Sequence, residues 1–421
     1  MISFLISAIK VIFLLGFLIG IHETGHFLVA KLCKVRVNEF AIGFGPKIWQ
    51  KQGKETKYVL RIIPLGGFVS MEGEEERSDK EGSFSSASIP KRIAIVSAGA
   101  LVNIIFAIIV YFILSASTTI SYSSNVVAGL EPGYSAESAG IEVGDTILEI
   151  NNKNITTSQD VSNVLEEAKN TEITVLIERD GQRQEIKLTP TEQKYKSTGI
   201  YLHALEQKST EIVSIEPGSS AEKQGLQTGD IITKINGEDV TGNPERLIEI
   251  LQTSTEDSIN LGIERDSNQI EIELIPDEES AYYLGVQFQM PEDTLLNRIY
   301  YSLYDTKEFL GSIVESVKQL FSGNTSTAEL IGPVGISEIV VQTNGLREFI
   351  YILVVVSLSL GVTNLLPFPP LDGGKILFLT IEAIRRKPLK EETEIKIQLL
   401  GFSILIGLSI FITYNDILRL F

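Results

Sequence analysis

Four long apolar stretches constrain the fold of this chain more than any other feature of its sequence. They cover residues 6–32, 93–114, 349–366 and 399–412, the last being the shortest, while the middle of the chain is polar and acidic. A helix needs roughly 20 mostly apolar residues to cross the hydrocarbon core of a bilayer. The pattern therefore predicts a polytopic α-helical membrane protein with four transmembrane helices.

The charges of the loops predict the orientation of these helices. Residues 31–92 hold 12 Lys and Arg against 8 Asp and Glu, and the loop between the third and fourth stretches is also basic. Residues 116–345 hold 15 basic against 38 acidic residues. Because basic loops stay in the cytoplasm, we expect residues 33–92 and 373–398 to be cytoplasmic, and the acidic middle and both termini to be extracytoplasmic.

Composition excludes several classes of protein. A single cysteine, Cys33, excludes an intramolecular disulfide framework and a Cys-rich zinc finger. The net charge of −18 disfavours nucleic acid as a partner, because phosphates require basic surfaces. A cleaved signal peptide at the N-terminus is also disfavoured, because no small-residue cleavage site follows the first apolar stretch.

The acidic middle contains one module twice. Residues 131–156 and 216–241 match at 13 of 26 positions without a gap, at a period of 85 residues, and the segments 175–180 and 261–266 repeat at a period of 86. Each copy predicts a short helix after Pro-Gly, a Gly-Asp turn, an alternating strand, a second helix and a further strand.

Both copies resemble PDZ domains of the bacterial, circularly permuted kind, and residues 140–145 and 225–230 carry the resemblance. By analogy, such a domain pairs an extended peptide onto a sheet edge. Two alternatives stay open for the pair. It binds peptide ligands, or it serves as a size filter or spacer with no peptide bound.

The first apolar stretch contains an HExxH motif, His22-Glu23-Thr24-Gly25-His26. Helical positions four apart lie on one face about 6 Å apart along the axis, so both imidazoles can reach one Zn²⁺. Glu23 lies on nearly the same face, where it can take a proton from water. Ionisable groups are costly in a transmembrane helix and favour a functional role. Polar pairing between helices is the alternative.

Zinc that keeps one position open needs a third protein ligand. His203 is a poor candidate, because it lies in the acidic middle of the chain. Asp372 is the remaining intramembrane carboxylate, within the segment NLLPFPPLDGG (364–374), whose Pro and Gly residues interrupt a helix. Irregular backbone at membrane depth is tolerated where it is buried in protein or lines a wet cavity. A helix cap is the alternative role for Asp372.

Taken together, HETGH, the duplicated module and NLLPFPPLDGG resemble the site-2 protease family of intramembrane zinc metalloproteases. Within it, the resemblance is to the branch of the regulator of sigma-E protease, with two PDZ domains, and it covers essentially the whole chain. The resemblance implies that His22, His26 and Asp372 bind Zn²⁺, that Glu23 is the general base, and that Asn364 positions the substrate backbone.

Two matches in the first cytoplasmic loop, GFGP (43–46) and PLGGF (64–68), resemble the family's membrane-re-entrant β-element. They imply that substrate is held as an added strand beside glycines, namely Gly43, Gly45, Gly66 and Gly67. Standing alone, such Gly and Pro groups are typical of ordinary turns. The segment GPVGI (332–336) is a further shared signature.

The predicted organisation has five parts. Residues 1–124 hold the first two transmembrane helices, HExxH and the re-entrant loop. Residues 125–195 and 196–290 are the PDZ-like α+β domains, and residues 346–421 hold the last two transmembrane helices and the LDG motif. Residues 291–345 link these parts through an amphipathic segment (295–321), either as a gate near the membrane or as an ordinary connecting helix packed on the domains.

We expect a zinc metalloprotease that cleaves single-span membrane proteins in or near their transmembrane segment, in the bacterial cytoplasmic (inner) membrane. Its partners are then the bilayer and these substrates, with the PDZ-like domains controlling access. The family implies anti-sigma factors or remnant signal peptides as substrates. A noncatalytic receptor or scaffold leaves HETGH and LDGG unexplained. The PDZ-like pair and the small number of spans count against a metal transporter.

Overall fold

The structure is a computed structural model that describes residues 2–74, 76, 78–120, 122–202, 209–253, 258–265, 268–322, 332–343 and 345–419. The chain forms two compact units. Unit 1 joins Met1–Ile120 to Asp293–Phe421, and unit 2 is Ser121–Glu292. His203 and residues 323–331 of the predicted linking region lie outside the described residues.

Helices dominate unit 1, and short strands dominate unit 2. The helices are α1 (Ile2–Leu32), α2 (Ile89–Ala116), α3 (Ser135–Ala139), α4 (Ser158–Ala168), α5 (Ser220–Lys223), α6 (Pro244–Thr253), α7 (Leu295–Ser322), α8 (Pro333–Gln342), α9 (Leu346–Leu365), α10 (Asp372–Arg385) and α11 (Glu391–Arg419). The strands are β1 (Val37–Gln52), β2 (Lys57–Met71), β3 (Val127–Leu130), β4 (Thr146–Ile150), β5 (Lys153–Asn154), β6 (Ile173–Arg179), β7 (Gln182–Leu188), β8 (Thr191–Ser197), β9 (Ile200–Leu202), β10 (Ile212–Ile215), β11 (Ile231–Ile235), β12 (Glu238–Asp239), β13 (Ile259–Arg265), β14 (Asn268–Leu274), β15 (Asp277–Tyr283) and β16 (Val286–Phe288).

Four helices of the described chain are long and apolar enough to cross a membrane, as predicted. Their spanning segments are Ala8–Leu32, Ile89–Ala116, Leu346–Leu365 and Glu391–Ile417. At 1.5 Å per residue, about 20 residues cover the roughly 30 Å hydrocarbon core. The fourth helix continues well beyond both ends of the apolar stretch 399–412 and therefore reaches this length.

The first loop of unit 1 forms a hairpin whose strands bend back on themselves. Ile42 of β1 pairs with both Gly67 and Leu60 of β2, and Trp49 of β1 pairs with Leu60 from the other side. Residues 37–42 therefore lie between two parts of β2, and residues 67–71 form an edge of the sheet. The hairpin also exposes large apolar side chains, namely Phe44, Ile48, Trp49, Ile62 and Ile63.

The amphipathic segment forms α7, which packs against transmembrane helix α2. Phe309 stacks on Tyr111 with ring centroids 4.3 Å apart, and the Ser115 hydroxyl donates to the Asp305 carboxylate. Leu310 and Ile313 pack on the same apolar cluster, which includes buried residues of α2 and α9. The middle of the apolar face of α7 thus packs on α2 and α9, whereas Leu295 and Leu303 nearer its start are exposed.

The segment GPVGI opens helix α8. The N–H groups of Gly332 and Gly335 donate to the carboxylate of Asp416 in α11, at 3.2 and 2.9 Å. A carboxylate is favourable at a helix N-terminus, where backbone N–H groups lack partners within the helix. Asp416 is buried, so this contact fixes the start of α8 against α11.

Unit 2 holds two modules with the same sheet order. The four-stranded sheets run β5-β4-β6-β7 and β12-β11-β13-β14. The alternating strands predicted from the repeat correspond to β4 and β11, and their inward side chains are fully buried. Those side chains are Ile147 and Ile150 in the first module, and Ile232 and Ile235 in the second.

Additional strands tie the two modules to each other. β8 pairs with β15, and β16 returns to pair with β3 at the start of unit 2. The pairing of β9 with β10 stays within the second predicted domain. Val286 and Phe288 of β16 pack against the core of the first module. A strand from the predicted domain 196–290 thus pairs with β3 and packs on the core of the preceding module. The bounds of the two predicted domains remain a prediction.

Candidate metal centre

HExxH lies on α1 and places its two histidines one helical turn apart. His22 and His26 turn their Nε2 atoms towards each other, 3.2 Å apart. The Oδ2 atom of Asp372, the first residue of α10, lies 3.2 Å from Nε2 of His22 and 3.3 Å from Nε2 of His26. The structure therefore brings together the three predicted ligand residues, each mostly buried.

This triangle of atoms has the size of one face of a zinc tetrahedron. Tetrahedral ligands at the usual Zn–N and Zn–O distances of about 2.0–2.1 Å are separated by roughly 3.3–3.4 Å. Oδ2 of Asp372 is buried and has no hydrogen-bond partner in the described chain. A buried carboxylate oxygen without a donor is costly, and a cation would stabilise it. The residues present fit Zn²⁺.

Two glycines allow Asp372 to reach the histidines. A Cβ on Gly373 would lie 2.1 Å from the carbonyl oxygen of Leu366, and one on Gly374 would lie 2.6 Å from the nitrogen of Pro369. The first turn of α10 therefore packs directly on the segment that leaves α9. This close backbone approach explains why two glycines follow the aspartate in LDGG.

Helix α2 supports the histidines from the other side. Nδ1 of His26 lies 2.9 Å from the carbonyl oxygen of Ile95, and Nδ1 of His22 lies 3.5 Å from the side-chain amide of Asn103. A Cβ on Gly99 would lie only 2.4 Å from Nε2 of His26. Sequence reasoning missed these α2 residues. The run of small residues at 97–100 is the sequence feature that indicates them, because small residues permit close packing of helices.

A cavity of about 140 Å³ opens beside the triangle. It is lined by His22, Glu23, His26, Val69, Met71, Glu74, Val96, Asp372 and Lys375. Glu23 is thus on the same cavity as the three candidate ligands. Its Cγ lies 3.1 Å from the position of a Cβ on Gly67, so β2 passes directly beside it.

An ion pair separates this cavity from a larger one. Nζ of Lys375 donates to Oε1 of Glu74 at 2.9 Å, and both residues also line a cavity of about 780 Å³. The larger cavity lies along Phe68–Ser70 of β2 and contains a second ion pair, between Arg92 and Glu382. The two cavities therefore adjoin along the last part of β2.

Of the other predicted site residues, the structure brings only Gly67 beside this centre within the described chain. Gly43, Gly45 and Gly66 have positive φ angles of 89°, 83° and 132°, at bends of the β1–β2 hairpin. Gly67 is the predicted glycine that approaches Glu23. Asn364 is half-buried in the last turn of α9 and is not among the described residues that line the smaller cavity.

Comparison with known proteins identifies the family. The sequence model of the family described as peptidase family M50 matches residues 10–408. The chain belongs to this family. Regulator of sigma-E protease RseP of Escherichia coli (strain K12) is 30% identical, in an alignment that covers 100% of both proteins. Protease RseP of Yersinia pestis is 30% identical and is again covered to 100%, as is this chain.

A relative from Neisseria meningitidis carries "zinc metalloprotease" in its name and is 30% identical, in an alignment that covers 97% of this chain and 98% of the relative. Among solved structures, the HtrA3 PDZ domain bound to a phage-derived ligand is 22% identical with a TM-score of 0.19. It covers 22% of this chain and 94% of its own. A score this low carries no conclusion about fold.

This M50 peptidase is a zinc metalloprotease of the site-2 type. The cofactor predicted from the sequence, Zn²⁺, is the metal on which the family depends. The four apolar helices and the RseP relatives assign it to the inner membrane. The predictions of family, enzyme class and cofactor are therefore confirmed.

Proposed function

We propose that this enzyme hydrolyses peptide bonds in or near the transmembrane segment of single-span membrane proteins. The observation that carries the proposal is the position of the candidate ligands. His22 and His26 lie within a segment, Ala8–Leu32, that is apolar and long enough to span the bilayer. A hydrolytic centre on such a helix reaches bonds at membrane depth.

In this proposal His22, His26 and Asp372 are the zinc ligands and Glu23 is the general base. Bound zinc supplies Lewis-acid polarisation of the scissile carbonyl and acidifies water. Glu23, on the same cavity, takes the proton of the attacking water and delivers it to the leaving nitrogen. Neutral imidazoles and one carboxylate leave the ion a net charge of about +1, which favours both effects.

The edge of β2 is proposed to hold the substrate. A transmembrane peptide is helical, so its carbonyls are hydrogen-bonded and must be freed before attack. Residues 67–71 form a sheet edge that passes Glu23, and within the described chain β2 pairs only with β1. Pairing of an unwound segment onto this edge would stabilise it beside the cavity. The hairpin glycines Gly43, Gly45 and Gly66, with Gly67, would shape the edge, and Asn364 would orient the substrate backbone.

Orientation follows from the loop charges in this proposal. The hairpin and residues 373–398 face the cytoplasm, while both termini and unit 2 face the extracytoplasmic side. The apolar side chains exposed on the hairpin support its entry into the bilayer as a re-entrant element. The two modules of unit 2 act as PDZ-like domains that control substrate access, with anti-sigma factors or remnant signal peptides as the substrate class.

Cleavage of a pre-trimmed single-span substrate in liposomes tests the proposal. Wild type and Glu23→Gln are compared, each with and without a zinc chelator. We expect cleavage only by wild type without chelator. Added zinc should restore the activity of the chelated wild type. Cleavage that survives Glu23→Gln would show that the base is misassigned. Bound zinc without cleavage of any of several substrates would favour the receptor or transporter alternatives.

A further inference from the structure

The two candidate ligands on α1 require a defined tautomer. Both histidines present Nε2 to the shared triangle, so binding of a metal there requires the imidazole proton on Nδ1. For His26 the structure supplies this condition directly. Its Nδ1 faces the backbone carbonyl of Ile95 at 2.9 Å, and a carbonyl can only accept.

His22 has a different partner at the same position. Its Nδ1 lies 3.5 Å from the side-chain amide nitrogen, Nδ2, of Asn103 on α2. Asn103 is fully buried, and its Oδ1 atom has no hydrogen-bond partner in the described chain. The amide oxygen and nitrogen have nearly the same shape, so the hydrogen-bond network must decide which of them faces the ring.

The chemistry of the ring decides this orientation. An amide N–H directed at Nδ1 would need the lone pair there, which would place the ring proton on Nε2 and block that atom as a ligand. An amide oxygen directed at Nδ1 accepts its proton and leaves Nε2 free. This second arrangement also gives the unpartnered Oδ1 atom a donor.

We propose that Asn103 is a positioning residue that fixes the tautomer and ring orientation of His22 through its side-chain oxygen. The inference rests on the proposed role of His22 as a zinc ligand. Partners of this kind on the second ring nitrogen are typical of zinc-binding histidines, and their loss costs about 10–100-fold in metal affinity. The backbone carbonyl of Ile95 then fixes the tautomer and ring orientation of His26.

The neighbourhood of Asn103 holds the residue in place for this role. Its backbone carbonyl accepts a hydrogen bond from the buried Ser357 hydroxyl of α9 at 3.0 Å. A Cβ on Gly361 would lie 2.8 Å from the carbonyl oxygen of Ala100, so α9 and α2 are in close backbone contact. Asn103 is therefore fixed by α9 on its backbone and directed at His22 by its side chain.

The test measures zinc affinity of the full-length protein in detergent, by competition with a chromophoric chelator. Asn103→Leu is expected to weaken zinc binding about 10–100-fold. Asn103→Asp should stay within a few-fold of wild type, because a carboxylate accepts the same proton. Ser97→Ala, which removes another polar side chain of α2, is the matched control and should not change the affinity. If Asn103→Leu does not fold, Asn103→Ala carries the same expectation.

A spectroscopic measurement separates positioning from packing. The chain has three histidines, so ¹⁵N-histidine labelling gives at most three imidazoles to assign. We expect the Nδ1-protonated form of His22 in wild type and Asn103→Asp, and its loss in Asn103→Leu. Wild-type affinity in Asn103→Leu, or equal loss in the Asp and Leu variants, would overturn the inference. If His22→Ala instead binds zinc like wild type, the proposed ligand set itself fails.

Discussion

Among single residues, one ion pair recurs in both modules of unit 2. Arg179 donates from Nε and Nη2 to the two oxygens of Asp145 at 2.7 and 2.8 Å, and Arg265 binds Asp230 in the same way at 2.6 and 2.7 Å. Each arginine also reaches the carbonyl of a turn glycine. The aspartate of each Gly-Asp turn is thereby joined to the arginine that ends a central strand.

We expect Asp145→Asn to lower the Tm of unit 2 by roughly 5 °C or more, because Arg179 loses the buried carboxylate with which it forms an ion pair. Arg179 and the backbone N–H of Glu142 hold the pKa of Asp145 below its usual 3.8 despite the opposing effect of burial. The stabilisation is therefore complete above about pH 4 and is lost as the pH falls further. Thermal unfolding of residues 121–292 from pH 7 to 3 measures this.

The pH dependence of the Tm tests whether the ion pair of Asp145 with Arg179 causes this loss of stability. The difference in Tm between wild type and Asp145→Asn should be largest near neutral pH and shrink below pH 4, as Asp145 is protonated. A constant difference across this range would show that the substitution acts through packing and not through the charge.

Gly99→Ala is expected to weaken zinc binding at least about tenfold, since displaced ligand supports typically cost 10–100-fold. The new Cβ would lie 2.4 Å from Nε2 of His26 and 2.8 Å from Nε2 of His22, so both rings must move. Gly20→Ala is the matched control, because a Cβ at that position of α1 meets nothing within 4 Å. Equal zinc affinity of the two variants would contradict this role of Gly99.

Local patterns predicted the candidate ligands and the candidate base, but not the residues that pack against them. HETGH is readable because helical geometry alone brings positions four apart onto one face. The pairing of Asp145 with Arg179 joins residues in separate repeated motifs, and no local rule links them. Gly99 and Asn103 approach the two histidines through contact between α1 and α2, and a single sequence does not specify the relative rotation of two helices.

Among secondary-structure elements, β2 is anchored just beyond its end. Glu72 accepts from Lys80, Asn38 and Ser78, which together lower the pKa of Glu72 to about 2. Glu74 then forms its ion pair with Lys375 of α10, three residues beyond Asp372. The strand edge beside Glu23 is therefore connected to the helix that carries the third candidate ligand.

We expect the Glu74–Lys375 pair to behave as a coupled unit. Lys375→Met leaves Glu74 without its cation on a cavity that already contains Glu23 and Asp372, so this variant should lose cleavage activity. Adding Glu74→Gln removes the unpaired charge. The double variant should then be at least about twofold more active than the product of the single effects, the lower bound for coupled neighbours. Initial rates of wild type, the two single variants and the double variant on a trimmed substrate complete this double-mutant cycle. If the activity of the double variant equals the product of the single effects, the two residues act independently.

The elements themselves were largely predictable, because long apolar runs and short alternating strands leave strong periodic signals. The long apolar runs predict the four spanning helices. The folding back of β1 and β2 was not, since one residue, Ile42, pairs with two distant parts of the same strand. The packing of α7 on α2 depends on the contact of Phe309 with Tyr111, which periodicity does not specify.

For the molecule as a whole, chain order and spatial order differ in unit 2. β16 follows the second module in sequence but completes the first by pairing with β3. A duplicated sequence predicts two similar modules, yet three-residue strands such as β9 and β16 carry too little pattern to show which module they join.

Removal of β16 is expected to destabilise the first module selectively. Fragment 121–284 lacks Val286 and Phe288, which pack on that core, whereas fragment 121–290 retains them and is the control. Full burial of such a side chain contributes about 1.5–3 kcal/mol, and these two half-buried side chains contribute part of that amount each. Hydrogen exchange should accelerate at Ile147 and Ile177 in the shorter fragment, with Ile232 and Ile263 unchanged. Acceleration confined to the second module would contradict the pairing.

Replacement of residues 125–290 by a short flexible linker tests the proposed control of access. We expect the ratio of cleavage rates for a substrate with a bulky ectodomain and its trimmed form to rise towards one, because the proposed filter is gone. Glu23→Gln in the same shortened protein is the control for contaminating proteases. An unchanged preference for the trimmed substrate would contradict a filtering role of unit 2.

The candidate metal site draws its donors from distant parts of the sequence, at positions 22, 26 and 372. A ribosome therefore adds 346 residues after His26 before the last donor exists (372 − 26), and α10 must then pack against the histidines of α1. A nascent chain that has not yet reached α10 cannot assemble the full set. The proposed hydrolytic activity is thus tied to the synthesis and insertion of α10, and a chain interrupted before that helix would be inactive.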